Sequence, residues 1–294
     1  MWRLLSIASV ALAVLLAVAA TAGAAAPVRW IVFSATPPLQ HTDQLFRMQS
    51  SGKGLQQITT GGYPSIAPAW SPDGKRIAFA RTGVGILTMN VDGTGLQRLT
   101  KNGRDGFPAW SPDGKQIAFV RPYKAAWTVF LMSSSGAGER RLPKAPPSGR
   151  PSWTAAGLLI PSGGDLLKID PTTGRVQKYF NVQIDAVWGL NSVALSPDLS
   201  TIAYVGARSA EPGDKECGEG PCQRFALYKE SVRTKKPQRV VKDAGPATFS
   251  PNGKQLAFVS NGGLTLLSLA GGKSTTVSTG DAYPTVAAPP AWQP

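Results

Sequence analysis

The sequence predicts an all-β protein built as a six-bladed β-propeller of four-stranded antiparallel blades, and three observations carry that prediction. The octapeptide Pro-Ala-Trp-Ser-Pro-Asp-Gly-Lys at residues 68–75 returns unchanged at residues 108–115. Weaker copies centre on Trp153, Leu195, Phe249 and Trp292, so that with Trp70 and Trp110 the chain holds six anchors, spaced 40, 43, 42, 54 and 43 residues apart. Between anchors, turn signals and apolar runs mark four short strands, and four antiparallel strands in a period near forty residues are the mark of a propeller blade.

The chain opens with a segment of another kind. Arg3 precedes a nearly unbroken apolar run over residues 4–20, and the small residues Ala22, Gly23 and Ala24 follow. A basic start, an apolar stretch at the short end of what spans a bilayer, and a small-residue exit describe a secretory signal. Residues 1–25 are expected to be cleaved and residues 26–294 to form one β-propeller domain, with an uncleaved anchor as the alternative. After signal cleavage no apolar segment is long enough to span a membrane.

The first strand of the fold is expected at residues 29–34, a second at 44–48, a turn at 51–54 and a further strand at 55–59. The next copy shows the full order. A strand ending at Trp70 is followed by the Ser-Pro-Asp-Gly turn, in which Pro presets φ, Asp suits the next position and Gly takes the left-handed conformation that closes a hairpin. A second strand then carries Ile77-Ala78-Phe79, repeated as Ile117-Ala118-Phe119 and Leu256-Ala257-Phe258, and small Ala between bulky neighbours suits a strand packed on both faces. Asp73 and Asp113 are accounted for by the turn, without a catalytic role.

Counting strand classes separately gives six innermost strands at the six anchors. Six second strands begin near Arg29, Lys75, Lys115, Ala156, Ser200 and Lys254. The chain therefore begins in the second strand of one blade and ends in an innermost strand without its own turn. Residues 288–293 are expected to complete the blade begun by residues 29–59, which closes the ring and leaves no free sheet edge.

The repeated Pro-Ala-Trp-Ser-Pro-Asp-Gly-Lys, followed by Ile-Ala-Phe and later by Asp92-Gly-Thr-Gly-Leu-Gln-Arg-Leu-Thr, resembles the WD40-like repeat of the TolB-like propeller family. The resemblance runs over essentially the whole chain after the leader and implies the carboxy-terminal propeller of TolB without its amino-terminal α/β domain. Partner contacts that the leading domain makes are not carried over.

Formal net charge is +14. In an exported chain such basicity points to an anionic envelope polymer or an acidic protein surface rather than nucleic acid, with a basic solvated surface as the plain alternative. Cys217 and Cys222, the only cysteines, sit in Cys-Gly-Glu-Gly-Pro-Cys and are expected to form a local disulfide. With His41 as the single histidine, a zinc site has little to draw on.

Propeller function lies in loops on two faces. The turns after the innermost strands and between third and fourth strands share one face, where Lys53, Lys75, Lys115, Arg175, Lys254 and Lys273 form a candidate basic rim. The opposite face receives Asp105, Asp185, Asp243 and Asp281, with Tyr123 and Trp188 as aromatic walls. These make a candidate ligand or cation face, on which converging carboxylates suit Ca²⁺ and ordinary turn aspartates are the other reading. Tyr63 and Tyr283 share that face, as does the long insertion between Arg208 and Arg224.

No nucleophile elbow, zinc-protease motif or phosphate loop is present, and no catalytic residue is assigned. The expected function is an exported, monomeric, non-enzymatic protein-binding or scaffold module of the bacterial cell envelope, periplasmic or extracellular. Its partner would be an envelope protein or anionic envelope polymer. The alternative is a small-ligand, glycan or cation-binding propeller, and beyond that a hydrolase or lyase working at the channel mouth.

Overall fold

The computed structural model describes residues 29–124, 126–142, 149–162, 165–181, 193–207, 225–260, 262–285 and 288–294. The expected leader, the pair Cys217 and Cys222, the insertion around them, and the candidates Asp185 and Trp188 all lie outside the described residues.

Six antiparallel sheets form the ring that the repeats predict. Blade 2 shows the plan: Ser65–Trp70 innermost, then Arg76–Arg81, Gly85–Asn90 and the short outermost Gln97–Arg98. Blade 3 repeats it with Gly106–Trp110, Gln116–Tyr123, Ala126–Ser133 and Arg140–Arg141. In blades 4, 5 and 6 the innermost strands are Ser152–Thr154, Val193–Leu195 and Thr248–Phe249. The outermost strands of blades 1 to 3 are only two residues long, shorter than the pattern at residues 55–59 suggests, because Leu55 is exposed and the ladder there holds only Gln56 and Gln57.

Turn chemistry fixes each innermost hairpin. The Ser71 hydroxyl donates to Asp73 Oδ1 (2.6 Å), the Lys75 amide donates to the same oxygen (3.1 Å), and the Arg76 amide donates to Ser71 Oγ (2.8 Å). Gly74 takes φ +68°, as the hairpin requires. The same bonds recur at Ser111 and Asp113, and at Ser196 and Asp198. In the fourth copy Asn252 accepts from Ser250 Oγ and from the Lys254 amide, so the turn needs an oxygen acceptor and not a charge. Leu199 stands where the other copies have glycine and is held at φ +60°.

The hydrophobic core is divided among the six gaps between blades. Strand alternation sends Ile77 and Phe79 toward blade 1, where they meet Val32 and Leu45, while Ala78 and Ala80 turn toward blade 3. Those small residues receive Trp110, Ile117 and Phe119. Each blade thus sets a bulky face against the smaller face of its predecessor, which lets wedge-shaped gaps close without voids. A fully buried Phe such as Phe79 or Phe119 contributes about 1.5–3 kcal/mol.

Ring closure follows the expected route. The innermost strand of blade 1 comes from the end of the chain in two pieces, Tyr283–Pro284 and Ala291–Trp292, both paired with Trp30–Thr36. The Gln293 amide donates to the Trp30 carbonyl (2.8 Å), and Trp70 Nε1 donates across the gap to the Ala291 carbonyl (3.0 Å). Trp110 Nε1 makes the matching bond to Ala69 one blade on (3.2 Å). The Trp292 ring itself packs with Ile31, Phe33, Leu264 and Leu266 where the last blade meets the first.

Trp292→Ala is expected to cost about 3–5 kcal/mol. At roughly 2–4 °C per kcal/mol for a domain of this size, the thermal midpoint should fall by about 6–20 °C, read by circular dichroism. An unchanged midpoint would mean that the closing strand does not hold the ring.

A second prediction concerns acid. The Ser hydroxyls, then the amides at the following Lys or Ser, hold the carboxyls of Asp73, Asp113 and Asp198 below the ordinary value of 3.8. A carboxyl depressed in the folded state adds stability that is complete above its unfolded pKa and is lost as pH falls through the folded one. The triple variant Asp73→Asn, Asp113→Asn, Asp198→Asn, which copies the natural Asn252 turn, should therefore fold at neutral pH. Its midpoint should drop less than the parent's between about pH 5 and about pH 3.

Candidate functional site

The innermost strands surround a central cavity of about 310 Å³, walled by residues 67–70, 107–110, 150–153, 193–194, 247–249 and 289–292. Its composition follows from the repeat, since every copy contributes the small and imino residues that precede the anchor. In blades 2 and 3 the strand does not run straight into the Trp. The register with the second strand slips between Ile66 and Ala69 and between Gly106 and Ala109, with Ala67 at φ +55° and Phe107 at φ +52°. Such a bulge re-aims the side chain at the third position before the anchor.

Arg150 occupies that third position before Trp153 and lines the cavity. Its guanidinium carbon lies 4.4 Å from the centre of the Phe107 ring on the neighbouring blade. Nε and Nη1 are shut off from solvent, and the loss of hydration lowers the guanidinium pKa to about 10. Sequence reasoning passed over this residue because it sits outside the motif. Aligning the copies on their anchors would have found it, for the same position holds Ala67, Phe107, Pro246 and Pro289.

On the face of the innermost turns, Lys53, Lys75, Lys115, Arg175, Lys254 and Lys273 are all exposed. Asp73, Asp92, Asp113, Asp170 and Asp198 sit in turns of the same class, each bonded within its own turn. Their carboxylates bring negative charge to the turns that carry the lysines.

The opposite face carries different chemistry. Asp105 is buried and grips Arg121 with both oxygens, at 2.6 Å to Nε and 2.7 Å to Nη2. Arg121 also binds Glu139 and lies over the Phe130 ring at 4.7 Å. Asp105 is thereby an ion-pair member within blade 3, and its partnership raises the Arg121 pKa. Asp243 and Asp281 are exposed on separate approaches to blades 6 and 1, so neither is brought to Asp105. Among the described residues no three His, Cys, Asp or Glu side chains stand close enough to hold a metal ion.

Aromatic groups are what that face shares. Tyr63 and Tyr283 lie at the entries to innermost strands and Tyr123 lies at the hairpin between second and third strands, with exposures of 59, 67 and 42%. Leu39, in the corresponding connection of blade 1, is fully exposed. The Arg141 guanidinium stacks 4.8 Å from the centre of the Tyr123 ring, which steadies one edge of this surface. Among the described residues no helix is long and apolar enough to cross a membrane.

Residues 29–157 match the family model described as the TolB beta propeller domain. No curated protein sequence matches the chain. Among solved structures, TolB from Acinetobacter baumannii superposes with a TM-score of 0.66 at 20% identity, over 91% of this chain and 67% of that one. A nidogen/laminin complex gives 0.62 at 12% identity, over 90 and 98% of the two chains. The putative TolB from Agrobacterium tumefaciens gives 0.56 at 17% identity, over 92 and 100%. At these identities the likeness is one of fold.

Asp105→Asn should lower the unfolding free energy by about 2–3 kcal/mol, less than the loss of a wholly enclosed pair because Arg121 keeps Glu139 and some solvent. Urea denaturation measures it, and a change below about 0.5 kcal/mol would show that Asp105 is not part of the blade's structure.

Proposed function

We propose that this TolB-like propeller is an exported protein-binding module of the bacterial cell envelope, and that its partner docks on the tyrosine-bearing face. The observation that carries the reading is the placement of Tyr63, Tyr123 and Tyr283 with Leu39 on one face, exposed by 42% or more of their area. Tyrosine is enriched at protein interfaces because it offers a rigid apolar body with a polar tip at small entropic cost. The other face presents turn residues already satisfied by their own hydrogen bonds, which leaves them less to offer a partner.

Export rests on the leader pattern over residues 1–25. The Cys217 and Cys222 pair is proposed as a disulfide that forms in that oxidising compartment. Binding, rather than catalysis, is the activity the two faces support. Amino-terminal sequencing of the protein recovered from the envelope fraction should begin close to residue 26.

The docking face is tested by crosslinking in cells and mass spectrometry of the captured partner. The variant Tyr63→Ser, Tyr123→Ser, Tyr283→Ser should lose the partner that the parent captures, while Lys53→Ser, Lys115→Ser, Lys273→Ser on the other face should retain it. Retention by the first and loss by the second would reverse the assignment.

A further inference from the structure

The geometry points to a second site: we propose that the cleft between blades 6 and 1, on the side of the lysine-bearing turns, binds a monosaccharide that carries an anionic group. The site is separate from the tyrosine face and stands or falls independently of the protein partner.

A cavity of about 290 Å³ opens where the last blade meets the first, between the turn that follows Gln49 and the strands Gly263–Ser268 and Ser274–Val277. The equivalent space is filled one gap on. Strand register aligns Gln255 with Trp30, Leu266 with Arg47 and Thr275 with Gln56. Between blades 1 and 2 the Arg47 guanidinium lies 4.6 Å from the centre of the Trp30 ring, and it donates to the Val91 carbonyl (2.7 Å) and to Gln56 Oε1 (2.7 Å). Between blades 2 and 3 Arg76, which also aligns with Gln255, lies over the Trp110 ring at 4.8 Å. Blade 6 has neither the ring nor the guanidinium at these positions, and Ser50 stands where blade 2 has Val91, so this seam keeps a hollow that its sister gaps close. Its walls are set by the backbone. Gly52, at φ +86°, brings the blade 1 turn so near blade 6 that a Cβ there would come within 2.6 Å of Val277 Cγ1.

The lining has the two-sided character of a sugar. Leu266 and Val277 are buried and give an apolar patch, while Ser50, Ser268 and Thr275 bring hydroxyls and Gln255 a carboxamide. Among the described residues these four polar side chains form no hydrogen bond, and each is half-buried or exposed, so their donors and acceptors are open to a ligand. Lys273, exposed at the edge, adds a cation, and no carboxylate side chain is among the groups that line the cleft. A pyranose fits this pattern, with its C–H face on the apolar patch, its hydroxyls toward the serines, Thr275 and Gln255, and a carboxylate or phosphate toward the Lys273 ammonium. A lysine, unlike an arginine fork, is a rotatable point charge that serves either anion.

Isothermal titration calorimetry with glucuronate, glucose 6-phosphate and glucose tests the site. At least one of the acids should bind about threefold or more tighter than glucose at low salt, the margin a solvent-exposed ion pair supplies, and the margin should shrink as salt is raised. Tighter glucuronate marks a site for a sugar carboxylate, tighter glucose 6-phosphate one for a sugar phosphate, and equal affinity a site that reads charge alone; each supports the proposal. In Lys273→Gln the acids should fall to the affinity of glucose. Gln255→Trp, which copies the side chain that fills this space in blade 1, should keep the native circular dichroism and lose all three sugars. The variant Tyr63→Ser, Tyr123→Ser, Tyr283→Ser should bind them as the parent does. Equal affinity for the acids and glucose in the parent, no binding of any of the three, an unchanged preference in Lys273→Gln, unchanged binding in Gln255→Trp, or loss of the sugars in the tyrosine variant would overturn the proposal.

Discussion

Every blade of this ring depends on a neighbour to cover its bulky face. Ile77 and Phe79 share a face with their cross-strand neighbours Met89 and Leu87, and that face is covered by Val32 and Leu45 of the blade before. The same holds around the ring until Ile31, Phe33 and Trp292 meet Leu264 and Leu266 where the last blade reaches the first. A sheet with both faces apolar is stable only when both are occupied, so the arrangement is sound as a closed circle and open to water as an arc. The indole bonds from Trp70 to Ala291 and from Trp110 to Ala69 add direction to this packing, since each fixes how far one innermost strand sits from the next.

Closure sorts the remaining chemistry by face. The turns after the innermost strands are short and repeat the same Ser, Asp and Gly geometry, so their polar groups are spent on holding the turn. The other face is reached by connections that differ from blade to blade, from the Tyr123 hairpin to the seven-residue stretch between Thr36 and Gln44. There the chain is free to place tyrosines in water or to bury an ion pair such as Asp105 with Arg121. A rigid ring with one uniform and one varied face is a general scaffold, and its specificity resides in the varied side.

The fold was legible because the residues that set it act locally and recur. Pro, Asp and Gly define a hairpin within four positions, and Ile-Ala-Phe states which way a strand faces, so the blade count and the closing role of Trp292 could be read in one dimension. The site was less so. Asp105 looked like one of several carboxylates pointing at the channel, and only the third dimension shows Arg121, sixteen residues on, taking both its oxygens. The candidate basic rim gains a second kind of group for a similar reason, because aspartates held by their own turns share that face with the lysines.

Arg150 shows where the two kinds of reading meet. A repeat is a set of parallel experiments on one structural position, and four other copies, at Ala67, Phe107, Pro246 and Pro289, show what the fold tolerates there. Where Ala, Phe and Pro serve equally, the local backbone does not dictate a guanidinium at this position. Burial of the Arg150 guanidinium carries a cost, and its pKa is lowered to about 10. Phe107 relieves part of it through the face of its ring, and the bulge at φ +52° is what brings that ring to the channel. The same positive φ recurs at Ala67 of blade 2, so the bulge belongs to the repeat and shapes the channel wall in both blades.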